Sequence, residues 1–177
     1  PEGRAAGSSM KVGIYTWGSE GDIRPFLALA LGLERAGHEV ALGYVAVDGR
    51  DYGPLASSLG LEARAVVVDA IARARAEGDE SDEALAGKGH PMKQIETVLA
   101  HLLDPAVDAM WEDAASTLPG CDVALVHLLH HPAASLALAH RIPIVALQPV
   151  PVWPTRALPP MGAPDLGRLN RLTWWVA

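Results

Sequence analysis

Two glycines, a hydroxyl and the carboxylates of Glu20 and Asp22 are packed into the turn Trp17-Gly18-Ser19-Glu20-Gly21-Asp22, directly after a short apolar run. Glycines let a backbone approach a ligand closely, and the free N–H groups of a helix that starts there favour an anion. A diphosphate or a bound carboxylate would suit such a turn. The plainer alternative is a tight strand-to-helix connection with Asp22 as its N-cap. Asp22 is the leading candidate for a functional side chain, and both roles stay open on these residues alone.

Other chemistries are weaker matches. A dinucleotide-binding turn needs G-x-G-x-x-G and an acidic residue ending the second strand. Here Gly18 and Gly21 stand alone, Tyr44 and Val45 end that strand, and Asp48 falls in the loop beyond. A fragment of a nucleotide-dependent oxidoreductase is a further reading, but the missing third glycine predicts that nicotinamide cofactors do not bind. The chain has neither a Gly-Lys-Ser/Thr phosphate loop nor a G-x-S-x-G elbow. His127, His130 and His131 cluster after an apolar run, but strand alternation sends His127 and His130 to opposite faces, so no metal is expected there. His38, His90 and His101 have no assigned chemistry. The acidic run from Glu77 to Glu83 lacks calcium-loop spacing and reads as a solvated loop.

The elements that must position these groups follow from apolar runs and glycine stops. Strands are expected at Lys11–Thr16, Glu39–Val45, Leu61–Val68, Cys121–Leu129 and Ile144–Gln148. Helices are expected at Ile23–Ala36, with Pro25 in its first turn and Gly37 as its stop, at Tyr52–Leu59 before Gly60, along Met92–Leu118 with a kink at Pro105, and at His131–His140. Phe26–Leu31 is apolar throughout, which implies cover on more than one side of the first helix. Alternating strands and helices, with strands too apolar for a wet face, predict an α/β fold. It is Rossmann-like: an open parallel sheet with helices on both faces.

The 177 residues suit one domain with a full core. A formal charge of -7 without a basic cluster argues against nucleic acid. No run reaches membrane-span length, and the lone Cys121, expected to be buried, fits a reducing cytoplasm. Residues 1–9, ahead of Met10, read as a disordered extension or cloning remnant. A proline-rich segment follows Gln148 and carries Trp153; a new helix then starts near Leu166 and includes Trp174 and Trp175, as though a further domain came next.

Gly18-Ser19-Glu20-Gly21-Asp22-Ile23-Arg24-Pro25-Phe26, the following Leu-Ala-Leu-Ala and then Gly37-His38-Glu39-Val40 resemble the amino-terminal domain of two-domain, type-B glycosyltransferases. The sterol glucosyltransferase-like and antibiotic-glycosylating groups are the most similar. Gln148-Pro-Val-Pro-Val-Trp-Pro-Thr155 has the look of that family's acceptor loop. The resemblance implies an inverting transfer from a nucleotide-diphosphate sugar to a hydroxyl of an apolar small molecule, without a bound metal or resident cofactor. It implies that residues 10–165 hold the acceptor and that residues 166–177 lead to a second domain holding the donor, without which the chain would not turn over. Asp22 would take the acceptor proton, Gly18, Ser19 and Gly21 would form the donor-diphosphate edge, and Trp17, His127, His130 and Trp153 would line the acceptor pocket. Related members often carry arginine where Glu20 stands, so one possible phosphate partner is missing. The alternative is a non-catalytic module of the same fold that binds a small molecule or a partner.

Overall fold

The computed structural model describes residues 8–69, 71, 98–149 and 165–170. Five parallel strands form one sheet in the order β3-β2-β1-β4-β5: β1 Lys11–Gly18, β2 Glu39–Ala46, β3 Ala63–Ala65, β4 Val123–His127 and β5 Ile144–Leu147. The helices are α1 Glu20–Arg35, α2 Gly53–Ser58, α3 Val107–Thr117 and α4 His131–Ala139. This is the expected α/β class. β1 is central, pairing with β2 from Lys11↔Glu39 to Gly18↔Ala46 and with β4 from Val12↔Val123 to Tyr15↔Val126.

Strand alternation divides the core between two faces. Val12 and Ile14 of β1, with Leu42 and Tyr44 of β2, pack on Ile23, Phe26, Leu27 and Ala30 of α1. On the opposite face Tyr15, Ala124 and Val126 meet Ala114 of α3 and Ala133 and Leu136 of α4. Trp17 and Val45 continue that face against Met110 and Leu102. The chain leaves β1 toward β2 but returns on the other side as β4. The carboxyl ends of β1 and β4 therefore flank the point where strand order reverses, the usual ligand crevice of such sheets.

Several boundaries differ from the sequence expectation, each for a physical reason. β1 runs two residues further, because Trp17 and Gly18 find register partners in Val45 and Ala46. α1 then starts at Glu20 with Ser19 as N-cap, so Asp22 is the third helical residue and not the cap, and Pro25 is the sixth. The bond that Pro25 cannot make leaves the Gly21 carbonyl to water, and both residues are exposed. α1 ends as expected: the His38 amide donates to the Leu33 carbonyl at 3.1 Å and that of Gly37 to Glu34 at 2.9 Å. Its apolar stretch is covered less fully than expected, with Ala28 exposed and Leu29 half-buried. β3 is an edge strand of three residues, Ala63–Ala65, out of the eight expected at Leu61–Val68. The segment before α3 is broken at Pro105, where a π-helical turn over Leu99–Leu103 passes into a 3-10 turn at Asp104–Ala106.

Cys121 is buried, its Sγ donating to the Thr117 carbonyl at 3.4 Å. Among the described residues no helix is long and apolar enough to cross a membrane. The acidic run Glu77–Glu83, His90, Trp153, Trp174 and Trp175 lie outside the described residues, as does most of the helix expected from Leu166, of which a 3-10 turn at Gly167–Leu169 is described.

Candidate functional site

The turn after β1 is built around the Asp22 carboxylate. Its Oδ2 accepts from the Ser19 amide at 2.9 Å and from the Ser19 hydroxyl at 3.3 Å, the side chain of the third helical residue reaching back to the cap. Thr16 of β1 adds a bond from its Oγ1 to the Asp22 carbonyl at 3.2 Å. Gly18 is what makes room. Its φ is +140°, and a Cβ placed on it would stand 2.3 Å from Asp22 Oδ2 and 2.6 Å from Cγ. The first glycine of the motif thus serves the carboxylate folded over it.

The other oxygen of Asp22 faces β4. His127 ends that strand on the α1 face, in alternation with Leu125, and its ring meets Phe26 edge-on at 5.9 Å. His127 Nε2 lies 3.7 Å from Asp22 Oδ1. The His127 side chain is 3% exposed, whereas that of Asp22 is 31% exposed, so the carboxylate is the member of the pair that solvent reaches. The Leu129 amide donates to His127 Nδ1 at 3.3 Å, which makes Nδ1 the unprotonated nitrogen and puts the proton of the neutral ring on Nε2. Burial lowers the imidazole's pKa, partly opposed by the charge of Asp22. Nε2 is buried with no hydrogen-bond partner. The sequence placed both residues on one sheet edge; their pairing was not foreseen.

His130 is fully buried. Its Nδ1 caps α4 by accepting from the Ala133 amide at 3.4 Å, and its ring lies 5.5 Å from that of Tyr15. Desolvation pushes its pKa down to about 3, so it is neutral at physiological pH. Trp17 is 4% exposed and packs among Val45, Met110 and Leu102. Trp17, His127 and His130, expected to line the acceptor pocket, are all buried in the described structure. The cause for Trp17 is the longer β1, which carries it into the α3 face. For His130 it is the cap that its ring provides. Trp153, the fourth expected lining residue, lies outside the described residues.

An open hollow does lie close by. Pro25, Phe26 and Leu29 of α1, with Leu147, Gln148 and Pro149 at the end of β5, enclose about 200 Å³ of mainly apolar space. Phe26 forms a wall of this hollow and also touches His127. Phe26 and Gln148 were not named as site residues from the sequence, although Phe26 closes the family-like motif and Gln148 opens the segment likened to an acceptor loop.

The amino end of α1 offers less to a bound anion than its glycines suggested. The Ser19 amide is taken by Asp22, and the Glu20 amide donates to Asp48 Oδ2 at 3.2 Å. Tyr52 holds Asp48 through its hydroxyl at 2.5 Å, and Glu20 pairs with Arg24 at 2.8 Å and with Arg50. The chain thus supplies its own carboxylate to this terminus. Asp48, which the sequence places in the loop beyond the second strand, is the carboxylate that fills this terminus. Gly21 remains open, with no atom within 4 Å of where a Cβ would stand. Among the described residues no group of three His, Cys, Asp or Glu side chains is placed to hold a metal ion.

No family model matches the chain. Over 60 residues, 34% of its length, it is 43% identical to the O-mycaminosyltylonolide 6-deoxyallosyltransferase of Streptomyces fradiae, and the match spans 13% of that enzyme. Among solved structures it is similar to the glycosyltransferase SnogD from Streptomyces nogalater, at 23% identity and a TM-score of 0.53, over 96% of this chain and 40% of that one. The glycotransferase of kitacinnamycin is similar at 20% identity and a TM-score of 0.54, over 84% of this chain and 32% of that one. TcCGT1, solved in complex with UDP, gives 17% and 0.56, over 82% and 30%. The chain spans less than half the length of each of these proteins. It carries the Rossmann-like α/β fold of type-B glycosyltransferases that its sequence led us to expect, and over one third of its length it resembles a Streptomyces glycosyltransferase in sequence as well.

Proposed function

We propose that this chain is the acceptor-binding half of an inverting glycosyltransferase acting on a hydroxyl of an apolar small molecule. The observation that carries the reading is the placement of Asp22. A half-exposed carboxylate, anchored through one oxygen by Ser19, stands at the strand-order reversal of a sheet similar to those of glycosyltransferases. The 200 Å³ hollow walled by Phe26, one turn further along α1, is apolar, which suits an apolar acceptor better than a sugar.

In the proposed reaction the acceptor oxygen attacks the sugar's anomeric carbon. The bond from that carbon to the diphosphate oxygen breaks, its electron pair leaves with the nucleoside diphosphate, and the hydroxyl proton passes to Asp22. A carboxylate is a weak base for an alcohol, so the proton must leave late, once the forming bond has made the hydroxyl acidic. The nucleotide sugar would be held by a second domain, its diphosphate nearest the Gly18, Ser19 and Gly21 edge, where the open Gly21 leaves space. Trp153 would add a flat ring to the acceptor side. The reading calls for no resident metal or cofactor.

The test is transfer by the full-length protein holding this chain, assayed with a panel of nucleotide sugars against polycyclic alcohols and phenols. Loss of a general base costs about 10²–10⁴-fold, so Asp22→Asn should lower kcat by that order while leaving KM within a few-fold. Equal rates for the two proteins would remove Asp22 from the mechanism.

A further inference from the structure

We infer that His127 is a positioning residue for Asp22: a neutral imidazole whose Nε2–H is aimed at Oδ1 of the carboxylate and fixes its orientation, without itself taking the substrate's proton. The inference rests on the reading of Asp22 as the base, and it adds the division of labour within the pair.

Three observations carry it. The first is the tautomer. Because Nδ1 accepts from the Leu129 amide at 3.3 Å, the lone pair lies there and the ring presents a donor at Nε2. A nitrogen that already carries a hydrogen cannot act as the base.

The second is the orphaned atom. Nε2 is buried without a hydrogen-bond partner, and Asp22 Oδ1 stands 3.7 Å away, a few tenths of an ångström beyond a hydrogen bond. A buried donor without a partner is unfavourable, so a small rotation of the Asp22 side chain that closes this gap is favoured. Ser19 already holds Oδ2, and with Oδ1 on His127 both oxygens would be fixed from opposite sides of the crevice.

The third is access. The His127 ring is sealed under Phe26, while the carboxylate is 31% exposed, so an incoming hydroxyl meets Asp22 and not the imidazole. The groups facing the ring are Asp22 and Phe26 of α1 and, from the turn into α4, His130, itself buried. None of them would stabilise a cation there except Asp22.

Two measurements test this. On the chain as it stands, long-range ¹H–¹⁵N correlation of the imidazole nitrogens at neutral pH should show His127 protonated at Nε2 and bare at Nδ1. The reverse pattern, with the lone pair facing Asp22, would overturn the proposal whatever the protein transfers. In the full-length protein, His127→Leu and His127→Asn should lower kcat by up to about 10²-fold, the scale of a misplaced catalytic group, with little change in KM. His127→Gln, whose amide nitrogen reaches where Nε2 stands, should restore most of the loss; Asn is too short to do so. If Asp22→Asn is inactive and His127→Gln is as poor as His127→Leu, a donor at that point is not what matters and the inference fails. If Asp22→Asn remains active, the reading of the base fails instead, and the tautomer result still stands on its own.

Discussion

Gly18→Ala would ask the turn for two things that its geometry refuses. The residue sits at φ +140°, a region that L side chains avoid, and the strain of holding a non-glycine residue there is about 1–3 kcal/mol. The new methyl would also stand 2.3 Å from Asp22 Oδ2, 2.6 Å from Cγ and 2.7 Å from Cβ, so the carboxylate must swing away. That movement breaks its bonds to the Ser19 amide and hydroxyl, a capping loss of about 0.5–2 kcal/mol at this partly exposed site. The expected total is about 2–4 kcal/mol. A double-mutant cycle separates the two parts. Asp22→Gly removes all three clashing atoms, and its own helix penalty of about 1 kcal/mol cancels within the cycle. In that background Gly18→Ala should cost the backbone strain alone, leaving a coupling of about 1–2 kcal/mol. Guanidinium unfolding of the four proteins, followed by circular dichroism with m-values compared, provides the numbers. A coupling below about 0.3 kcal/mol would mean that Asp22 does not lie over Gly18, and the account of this turn would be wrong.

The other predictions concern buried groups. His130 is neutral in the fold with a pKa of about 3, against 6.5 when unfolded, so the unfolded chain binds the extra proton and stability falls as pH drops below 6.5, levelling off near 3. Between pH 7 and pH 5 this residue should cost about 2 kcal/mol; His130→Asn, which keeps an acceptor for the α4 cap but cannot titrate, should remove that part of the slope. Equal pH slopes for the two proteins would place a charged or solvated ring at this position. Burial raises the Cys121 thiol above its ordinary value, so Ellman's reagent should label the native chain far more slowly than the unfolded one, and immediate labelling would show the Cys121 end of β4 to be open. Tyr15→Phe removes the 2.9 Å bond to Thr117, whose hydroxyl keeps its own bond to the Asp113 carbonyl, so the loss should be about 1 kcal/mol by chemical unfolding; a loss several times larger would show that the Tyr15 hydroxyl holds α3 to the sheet in some further way.

Much of the frame was legible because it rests on local signals. Apolar runs with helical or strand length gave five strands in the right order along the chain, and Gly37 and Gly60 marked helix ends where the backbone turns through positive φ. At Pro105, a residue without an amide to donate, the expected helix changes to a 3-10 turn. The failures came where a boundary depends on a neighbour. Leu61–Val68 looks like a full strand, yet at the sheet edge three of its residues pair in register with β2. Asp22 looks like an N-cap, yet pairing with β2 draws β1 out to Gly18, and Ser19 takes the cap. Trp17 looks like the start of the turn, but two more residues of strand fix its side on the core.

The sequence by itself determined the class of fold, the glycine-bracketed turn and the identity of its carboxylate, since propensity, periodicity and chain punctuation are properties of neighbouring residues. Tertiary structure decided what that carboxylate meets. His127 reaches Asp22 because β1 and β4 lie side by side in one parallel register and strand alternation turns the ring toward α1. Asp48 fills the helix terminus because Tyr52 holds it there. Such contacts join residues far apart in the chain, and only packing the sheet and its helices fixes their distances.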